Sequence, residues 1–186
     1  MGIELDGQGE AQIATGVGFL DHLLELFARH SLIDVELSAR GDVEVDAHHT
    51  AEDCGLVLGR ALDQALGDRA GIRRFGDVRL PMDEAIADCA IDISGRSYAD
   101  ISPRPSAIDG GDPWLELVPH MLEALAREAR MTIHLEVRKA RSVHHHCEAM
   151  VKAFARALRA AVELDPRLAG TDGEPAAVPS SKGTLA

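Results

Sequence analysis

Apolar residues recur along this chain with two different periods, and each period predicts a different kind of element. A spacing of three to four residues, typical of a helix with one buried face, begins near residues 18, 48, 114 and 144 and predicts four helices. Residues 97–113, rich in proline, glycine and aspartate, indicate a loop, and residues from 165 onward indicate a tail without regular structure. Alternation of polar and apolar residues predicts strands at residues 10–15, 32–38, 74–80, 85–93 and 131–137.

The order of these elements repeats once along the chain. Residues 21–29 match residues 119–127 at five of nine positions, and residues 48–66 match residues 144–162 at seven of nineteen positions. The offsets of 98 and 96 residues are nearly equal, which indicates a duplicated unit of about half the chain. The sequence therefore predicts one α/β domain of the α+β type, an internally duplicated two-layer sandwich with pseudo-twofold symmetry. Each half has about the order β-β-α-β-α, and the predicted parts are half one at about 1–72, half two at about 73–164 and a tail at 165–186.

Composition restricts the class of protein. With 186 residues, 46% of them hydrophobic, the chain can bury a substantial core as one domain. A net charge of −12 argues against nucleic acid as a partner, because phosphates need a basic surface, but a local group of cations can still bind a small phosphorylated molecule. No apolar run approaches the roughly 18 residues of a membrane span, and no signal-peptide pattern opens the chain. Three irregularly spaced cysteines argue against disulfides, so we expect a cytoplasmic protein without a membrane partner.

Two copies of one motif open the second and the fourth predicted helix. In each copy, two adjacent histidines are followed by a glutamate, four residues after the first and three after the second. Helical residues three or four apart share a face, whereas adjacent residues point about 100° apart. The glutamate can therefore meet either histidine at one ion, but the two histidines most easily serve different ions. This predicts two metal sites that are shared between the motifs, which are His48, His49 and Glu52, and His144, His145 and Glu148.

A further pair of histidines, His22 and His120, recurs in the first and the third predicted helix. A lone histidine on a helix is usually only a polar surface residue, but recurrence at duplicated spacing argues against that interpretation here. Equal division of the donors gives two sites of three histidines and one glutamate, a set that suits Mn²⁺, Fe²⁺ or Zn²⁺ better than Ca²⁺ or Mg²⁺. Cys147 aligns with Ala51 and is expected to serve packing, with opportunistic metal binding as the lesser alternative. The eight expected metal ligands are His22, His48, His49, Glu52, His120, His144, His145 and Glu148.

Several basic residues stand in places that suit an anion. Arg74, Arg96, Lys152 and Lys182 could each be ordinary solvated cations, and taken singly that is the better interpretation. However, Arg96 follows a serine and a glycine, and Lys182 follows two serines in a tail of small residues. Such a segment offers backbone N–H groups, hydroxyls and an ammonium together, which favours binding of a phosphate.

Motifs along nearly the whole chain, in the same order, resemble those of the imidazoleglycerol-phosphate dehydratase family. They are GVGFLDH at 16–22, HHTAED at 48–53, RFG at 74–76, PMDE at 81–84, DISGR at 92–96 and PSSKG at 179–183. The resemblance implies a carbon–oxygen lyase (hydro-lyase) of histidine biosynthesis, which converts imidazole glycerol phosphate to imidazole acetol phosphate. It implies two Mn²⁺ per active site, held by the eight donors, and a homo-oligomeric shell of twenty-four subunits with active sites at subunit interfaces. The candidate substrate-binding residues are His30, Arg74, Arg96, Lys152, Ser180, Ser181 and Lys182.

The chemistry of this dehydration explains the need for metals. The hydrogen to be removed lies beside an imidazole and is barely acidic, whereas metal binding makes the ring N–H acidic and can hold the ring as an imidazolate. Electrons from the ring can then expel the hydroxyl group. A carboxylate beside the metals is the natural proton carrier, and the candidates are Glu148 first and Glu52 second.

Three departures from the family pattern leave an alternative open. The family's Arg-x-Thr-x-Glu-Thr segment, whose glutamate reaches the substrate, would fall before residue 1, while Ser142 replaces an asparagine and Pro119 replaces a polar residue. The first alternative is a catalytically weakened paralogue, kept as a metal-bound structural or binding assembly. The second is a two-metal hydrolase of a phosphorylated substrate, although such sites depend on bridging carboxylates and this one is dominated by histidine.

Overall fold

Alternating apolar side chains form two sheets in this computed structural model, which describes residues 1–101, 111–170 and 175–185. In β5, for example, every second residue from Ala85 to Ile91 is buried. The strands of the first sheet are β1 (Gly2–Glu4), β2 (Ala11–Ala14) and β3 (Asp34–Ser38). Those of the second are β4 (Phe75–Met82), β5 (Ala85–Asp92), β6 (Tyr98–Ile101) and β7 (Thr132–Lys139).

The two sheets have the same topology, which confirms the predicted duplication within an α+β fold. The strand order is β1-β3-β2 in the first sheet and β4-β5-β7-β6 in the second. In the first sheet, β3 pairs antiparallel with β1 and parallel with β2, and in the second β7 pairs in the same way with β5 and β6. β4 is an additional antiparallel strand on the free edge of β5.

Four amphipathic helices lie against the sheets and meet one another across the two halves. They are α1 (Gly18–Ser31), α2 (His48–Leu66), α3 (Trp114–Glu128) and α4 (Val143–Val162). α1 packs on α4 and α2 packs on α3, so each half contributes one helix to each pair. Two glycines let α2 approach α3 closely, since an added Cβ would lie 2.3 Å from the Met121 carbonyl oxygen at Gly55 and 2.5 Å from that of Leu125 at Gly59. Both distances are too short for any side chain.

Aliphatic side chains and alanine fill the core, as the low aromatic content predicts. The largest fully buried apolar side chains are mainly leucine and isoleucine, joined by Phe154 and Met131. Phe154 of α4 stacks on Phe27 of α1 with ring centroids 5.8 Å apart, which fixes one helix of each half against the other. Within the described ranges, no helix has the length and apolarity needed to cross a bilayer.

The structure corrects the predicted order of elements in the second half. Residues 97–113 were expected to be a loop, but Tyr98–Ile101 forms β6, whose four residues pair with the edge of β7. The alternation in so short a segment is too brief to distinguish a strand from a loop. Residues 102–110 of that expected loop lie outside the described residues. In the tail, residues 175–185 contain no helix or strand, as predicted.

Candidate metal centres

His22, Glu148 and His144 form the first of two clusters, here called the Glu148 cluster. His22 comes from α1, while His144 and Glu148 are one turn apart on α4. The Glu148 Oε1 atom lies 2.6 Å from His22 Nε2 and 2.8 Å from His144 Nε2. The two imidazole rings stack with centroids 5.6 Å apart, so that three donor atoms face one small volume.

The second cluster, here called the Glu52 cluster, has the same composition. His48 and Glu52 are one turn apart on α2, and His120 approaches from α3. His120 Nε2 lies 3.5 Å from Glu52 Oε1, and the rings of His120 and His48 stack at 5.0 Å. In each cluster, then, the first histidine of a motif and its glutamate meet a histidine from the other half of the chain.

The second histidine of each motif lies outside both clusters. The ring plane of His145 lies at 69° to that of His144, and the ring plane of His49 lies at 89° to that of His48. Adjacent helical residues point about 100° apart, which agrees with the absence of both second histidines from the clusters. Each described cluster therefore has two histidines and one glutamate, and within one chain the expected third histidine is not part of it.

The donors of both clusters fit a divalent ion. In each, one atom from each of the three side chains lies within 4.8 Å of the others, and imidazole with carboxylate suits Mn²⁺, Fe²⁺ or Zn²⁺. The Phe19 ring covers one side of the Glu148 cluster, 5.2 Å from the His144 ring, and meets Trp114 edge-on at 4.8 Å. A shallow depression lined by Trp114, Asp46 and His48 continues from there toward the Glu52 cluster.

Glu148 is held as an ionised carboxylate in a buried place. Burial by itself would raise its pKa, but hydrogen bonds from His22 and Lys152 outweigh burial and lower the pKa to about 2. The Lys152 ammonium lies 2.5 Å from Glu148 Oε2, and it also contacts the sulfur of Met82. Lys152, a predicted substrate contact, thus stands directly beside the candidate metal centre.

A band of basic side chains continues from the Glu148 cluster along α1 and α4. Burial lowers the pKa of His30, and the nearby charges of Lys152 and Arg156 lower it further, so the ring of His30 is neutral at pH 7. Arg156 was missed by the sequence analysis, although its spacing of four residues from Lys152 and eight from Glu148 places all three on one face of α4.

The two residues between His145 and Glu148 are buried and do not contribute to the cluster. Burial lowers the pKa of His146 to about 4, and its Nδ1 has no hydrogen-bond partner among the described residues. Burial raises the pKa of Cys147 to about 12, so this residue is a neutral thiol that faces the Trp114 carbonyl oxygen. Cys147 therefore packs against α3, in agreement with its expected role.

Arg74 is engaged by the protein itself. Its guanidinium pairs with both carboxylate oxygens of Asp92, at 2.7 and 3.1 Å, and donates to the Pro179 carbonyl oxygen at 2.9 Å. The contact with Pro179 ties down the tail just before Ser180 and Lys182, where the Lys182 N–H donates to the Ser180 hydroxyl. Arg74 thus positions the segment that carries three of the other predicted substrate contacts, among them the exposed Ser181.

Three of the predicted anion contacts, Arg74, Arg96 and Lys182, lie at the opposite end of the second sheet from the Glu148 cluster and Lys152. Arg74 precedes β4 and Arg96 follows β5, which places both at one end, together with the tail. Met82, which contacts Lys152, is the last residue of β4 and lies at the other end. β4 has eight residues, so at about 3.3 Å per residue its ends are about 23 Å apart. The two groups of side chains therefore cannot meet around one small molecule within one chain.

Comparison with known protein families gives one consistent result. A family model described as imidazoleglycerol-phosphate dehydratase matches residues 15–158. The imidazoleglycerol-phosphate dehydratase of Methylorubrum extorquens is 50% identical over 183 residues, which cover 98% of this chain and 91% of that protein. The enzyme of the same name from Geobacter metallireducens is 46% identical over 185 residues, covering 100% of this chain and 91% of that protein.

Solved structures give the same match at the level of the fold. The crystal structure of imidazoleglycerol-phosphate dehydratase from Staphylococcus aureus superimposes with a TM-score of 0.77 and 37% identity, covering 88% of this chain and 92% of that one. The enzyme from Pyrococcus furiosus, solved in complex with (S)-C348, superimposes with a TM-score of 0.80 and 32% identity, covering 98% of this chain and 94% of that one.

Proposed function

Because this chain belongs to the imidazoleglycerol-phosphate dehydratase family and is a hydro-lyase of histidine biosynthesis, we propose that it works with two Mn²⁺ ions bound at its two histidine clusters. The substrate is then imidazole glycerol phosphate and the product imidazole acetol phosphate. The observation that carries the metal dependence is the repetition of one donor set in two places, each assembled from both halves of the chain.

Each ion would be held by one cluster and completed by one of the diverging histidines. The Glu148 and Glu52 clusters each supply two imidazoles and a carboxylate. His145 and His49 would each ligate an ion that is held by a cluster of a neighbouring copy. Ions held there would make the N–H of a bound imidazole ring more acidic and would stabilise the negative charge left by its proton, and that charge would then help to expel the hydroxyl group.

The two glutamates differ in their freedom to carry a proton. Glu148 is buried and receives two short hydrogen bonds and an ammonium, and its lowered pKa makes it a weak base. A general base is most effective when its pKa is close to the working pH. These contacts favour Glu148 as an anchor for metal and Glu52, which is more exposed, for proton transfer, and so reverse the order suggested by sequence alone.

An active site assembled from several copies follows from the arrangement in one chain. A phosphorylated imidazole must reach metal at one end and cations such as Arg96 and Lys182 at another, yet these lie about 23 Å apart along the second sheet. Contacts from neighbouring copies remove this difficulty, in keeping with the twenty-four-subunit shell that the family resemblance implies. Chelation of the metals should then break the assembly into smaller oligomers. Light scattering with and without chelator tests this, and an unchanged mass after verified metal removal would contradict it.

The three cysteines support a reducing, cytoplasmic location. Cys54, Cys89 and Cys147 are all buried and unpaired. Burial raises the pKa of each thiol, which keeps it protonated and unreactive.

Turnover of imidazole glycerol phosphate by Mn²⁺-loaded protein is the direct test. We expect product formation that stops on chelation and returns with Mn²⁺, and that is lost in His144→Ala and His48→Ala. A folded, verified Mn²⁺-loaded protein that binds the substrate without converting it would instead support the alternative of a weakened paralogue. Release of inorganic phosphate without dehydration would support the two-metal hydrolase.

A further inference from the structure

Glu84 lies in the tight turn between β4 and β5 and contacts the start of α4. The two strands remain paired up to Met82 and Ala85, so only Asp83 and Glu84 form the turn. Asp83 has a φ of +48°, which an aspartate tolerates better than most residues. So short a connection between two paired strands gives Glu84 little freedom to move.

Both carboxylate oxygens of Glu84 form hydrogen bonds with residues near the start of α4. Oε2 lies 2.7 Å from His145 Nδ1, and Oε1 accepts a hydrogen bond from the Arg141 N–H at 3.1 Å. Glu84 already accepts a hydrogen bond from a backbone N–H through one carboxylate oxygen, and a carboxylate has no proton to donate through the other, so His145 Nδ1 is the donor.

This contact decides which atom of His145 remains available. With Nδ1 bound to Glu84, only Nε2 is free, on a side chain that is about one third exposed. Histidines that ligate metals commonly donate their other ring N–H to a carboxylate, which fixes the tautomer and the ring orientation. His145 has this arrangement before any ion is present.

The first half of the chain has no equivalent. Glu84 depends on the turn after β4, and β4 is the strand without a partner in the first sheet. Among the described residues, His49 forms no ion pair with a carboxylate, and its ring meets only that of His48. The support is thus specific to one of the two motifs.

We propose that Glu84 is a positioning residue that holds His145 with Nε2 directed outward, toward an ion that is completed by another copy of the chain. The proposal rests on the proposed function, because it requires a metal ion at His145. It assigns a role to the PMDE motif that neither cluster uses, and it predicts that one of the two ions per chain is bound by a preoriented ligand.

Calorimetric titration of metal-free protein with Mn²⁺ tests the proposal. Glu84→Gln keeps the shape of the side chain but removes its charge. It should raise the Kd of one of the two Mn²⁺ ions 10- to 100-fold and change the Kd of the other by less than about threefold. Asp83→Asn is the matched control, since it removes a charge from the same turn without touching His145. This variant should bind both Mn²⁺ ions with Kd values within about threefold of those of the unmodified chain.

A double-mutant cycle separates this role from a general effect on folding. If Glu84 acts through His145, adding Glu84→Gln to His145→Ala should not weaken Mn²⁺ binding further. Additive losses would overturn the proposal, as would equal weakening of both ions together with a lower melting temperature, or unchanged binding in Glu84→Gln. If the unmodified chain itself binds no Mn²⁺, the proposed metal dependence fails, which is a different result from failure of the role of Glu84.

Discussion

The two metal-site motifs share a sequence pattern but occupy unlike surroundings. The side chain of Glu148 is 7% exposed and lies within 2.8 Å of two imidazoles, whereas Glu52 is 29% exposed and its one imidazole contact, with His120, is 3.5 Å long. Lys152 pairs with Glu148 at 2.5 Å, whereas the nearest cation that Glu52 meets among the described residues is the exposed Arg127, at 3.7 Å. The contacts within the Glu148 cluster are therefore shorter and more buried than those within the Glu52 cluster.

The difference arises from residues around the motifs and not from the motifs themselves. At the offset of 96 residues, Lys152 aligns with Leu56, so the first motif has no ammonium one turn after its glutamate. Glu84 belongs to the additional strand's turn and also has no equivalent. The two copies of the ligand set thus differ in the burial of the glutamate and in the cation that pairs with it.

The largest effect is expected from the diverging histidines. His145→Ala and His49→Ala should each abolish dehydration, because each removes the ligand that would join a cluster to another copy. Turnover with imidazole glycerol phosphate and a count of Mn²⁺ per chain measure this. Retention of full activity in either variant would show that the ion at that position is complete within one chain, and the comparison of the two motifs would lose its basis.

Exchanging the residues one helical turn after the two glutamates, Lys152 and Leu56, should exchange the metal affinities of the two clusters. In Lys152→Leu, Glu148 loses its ammonium, so the metal-free protein should melt a few degrees lower, because a buried carboxylate is left less well paired. One Mn²⁺ should bind about tenfold more tightly, since the cation no longer meets the Lys152 charge. The KM for the phosphorylated substrate should rise.

The converse variant, Leu56→Lys, is the matched control for that exchange. It adds an ammonium one turn after Glu52 and should lower the affinity for the Mn²⁺ ion at the Glu52 cluster. Titration calorimetry and thermal melting of both variants give the comparison. Equal effects of the two variants on both ions would show that net charge, and not the local partner of each glutamate, controls affinity.

The free energy of unfolding of the metal-free protein should depend on pH through the buried carboxylate of Glu148. The folded-state pKa of Glu148, about 2, lies below its usual 4.5, so this group contributes stability above pH 4.5 that is lost as the pH falls toward 2. Glu148→Gln has no such group, and its free energy of unfolding should fall less steeply over that range. Denaturant unfolding at several pH values measures the slope, and parallel curves for the two proteins would contradict the prediction.

The smallest effect is expected at His146. It aligns with Thr50, contributes to neither cluster, and is buried and neutral at pH 7. His146→Ala should retain at least a tenth of the activity and both ions, with a melting temperature a few degrees lower because a buried side chain is lost. An inactive but folded His146→Ala would mean that the ligands of the second motif are displaced by one residue.

Sequence alone was sufficient for the local geometry of the two motifs, although the same helical spacing that places Arg156 beside Lys152 was missed. The spacing of four residues between His144 and Glu148 places them on one helical face wherever the helix lies, and the divergence of His144 from His145 follows from the same period. The duplication was visible because related segments keep identical residues at one offset. A strand of four residues such as β6 was not visible, because its pairing with β7 comes from residues more than thirty positions away.

Only the tertiary structure decided which motif meets which histidine. Each cluster needs a helix from the other half, and the choice of α1 with α4 and α2 with α3 depends on side-chain packing and on the close approach at Gly55 and Gly59. The partners of Glu84 and Arg74 also come from distant parts of the chain, over 61 and 105 positions. Such contacts leave no periodic trace in the sequence, because they arise where independently formed elements meet in space.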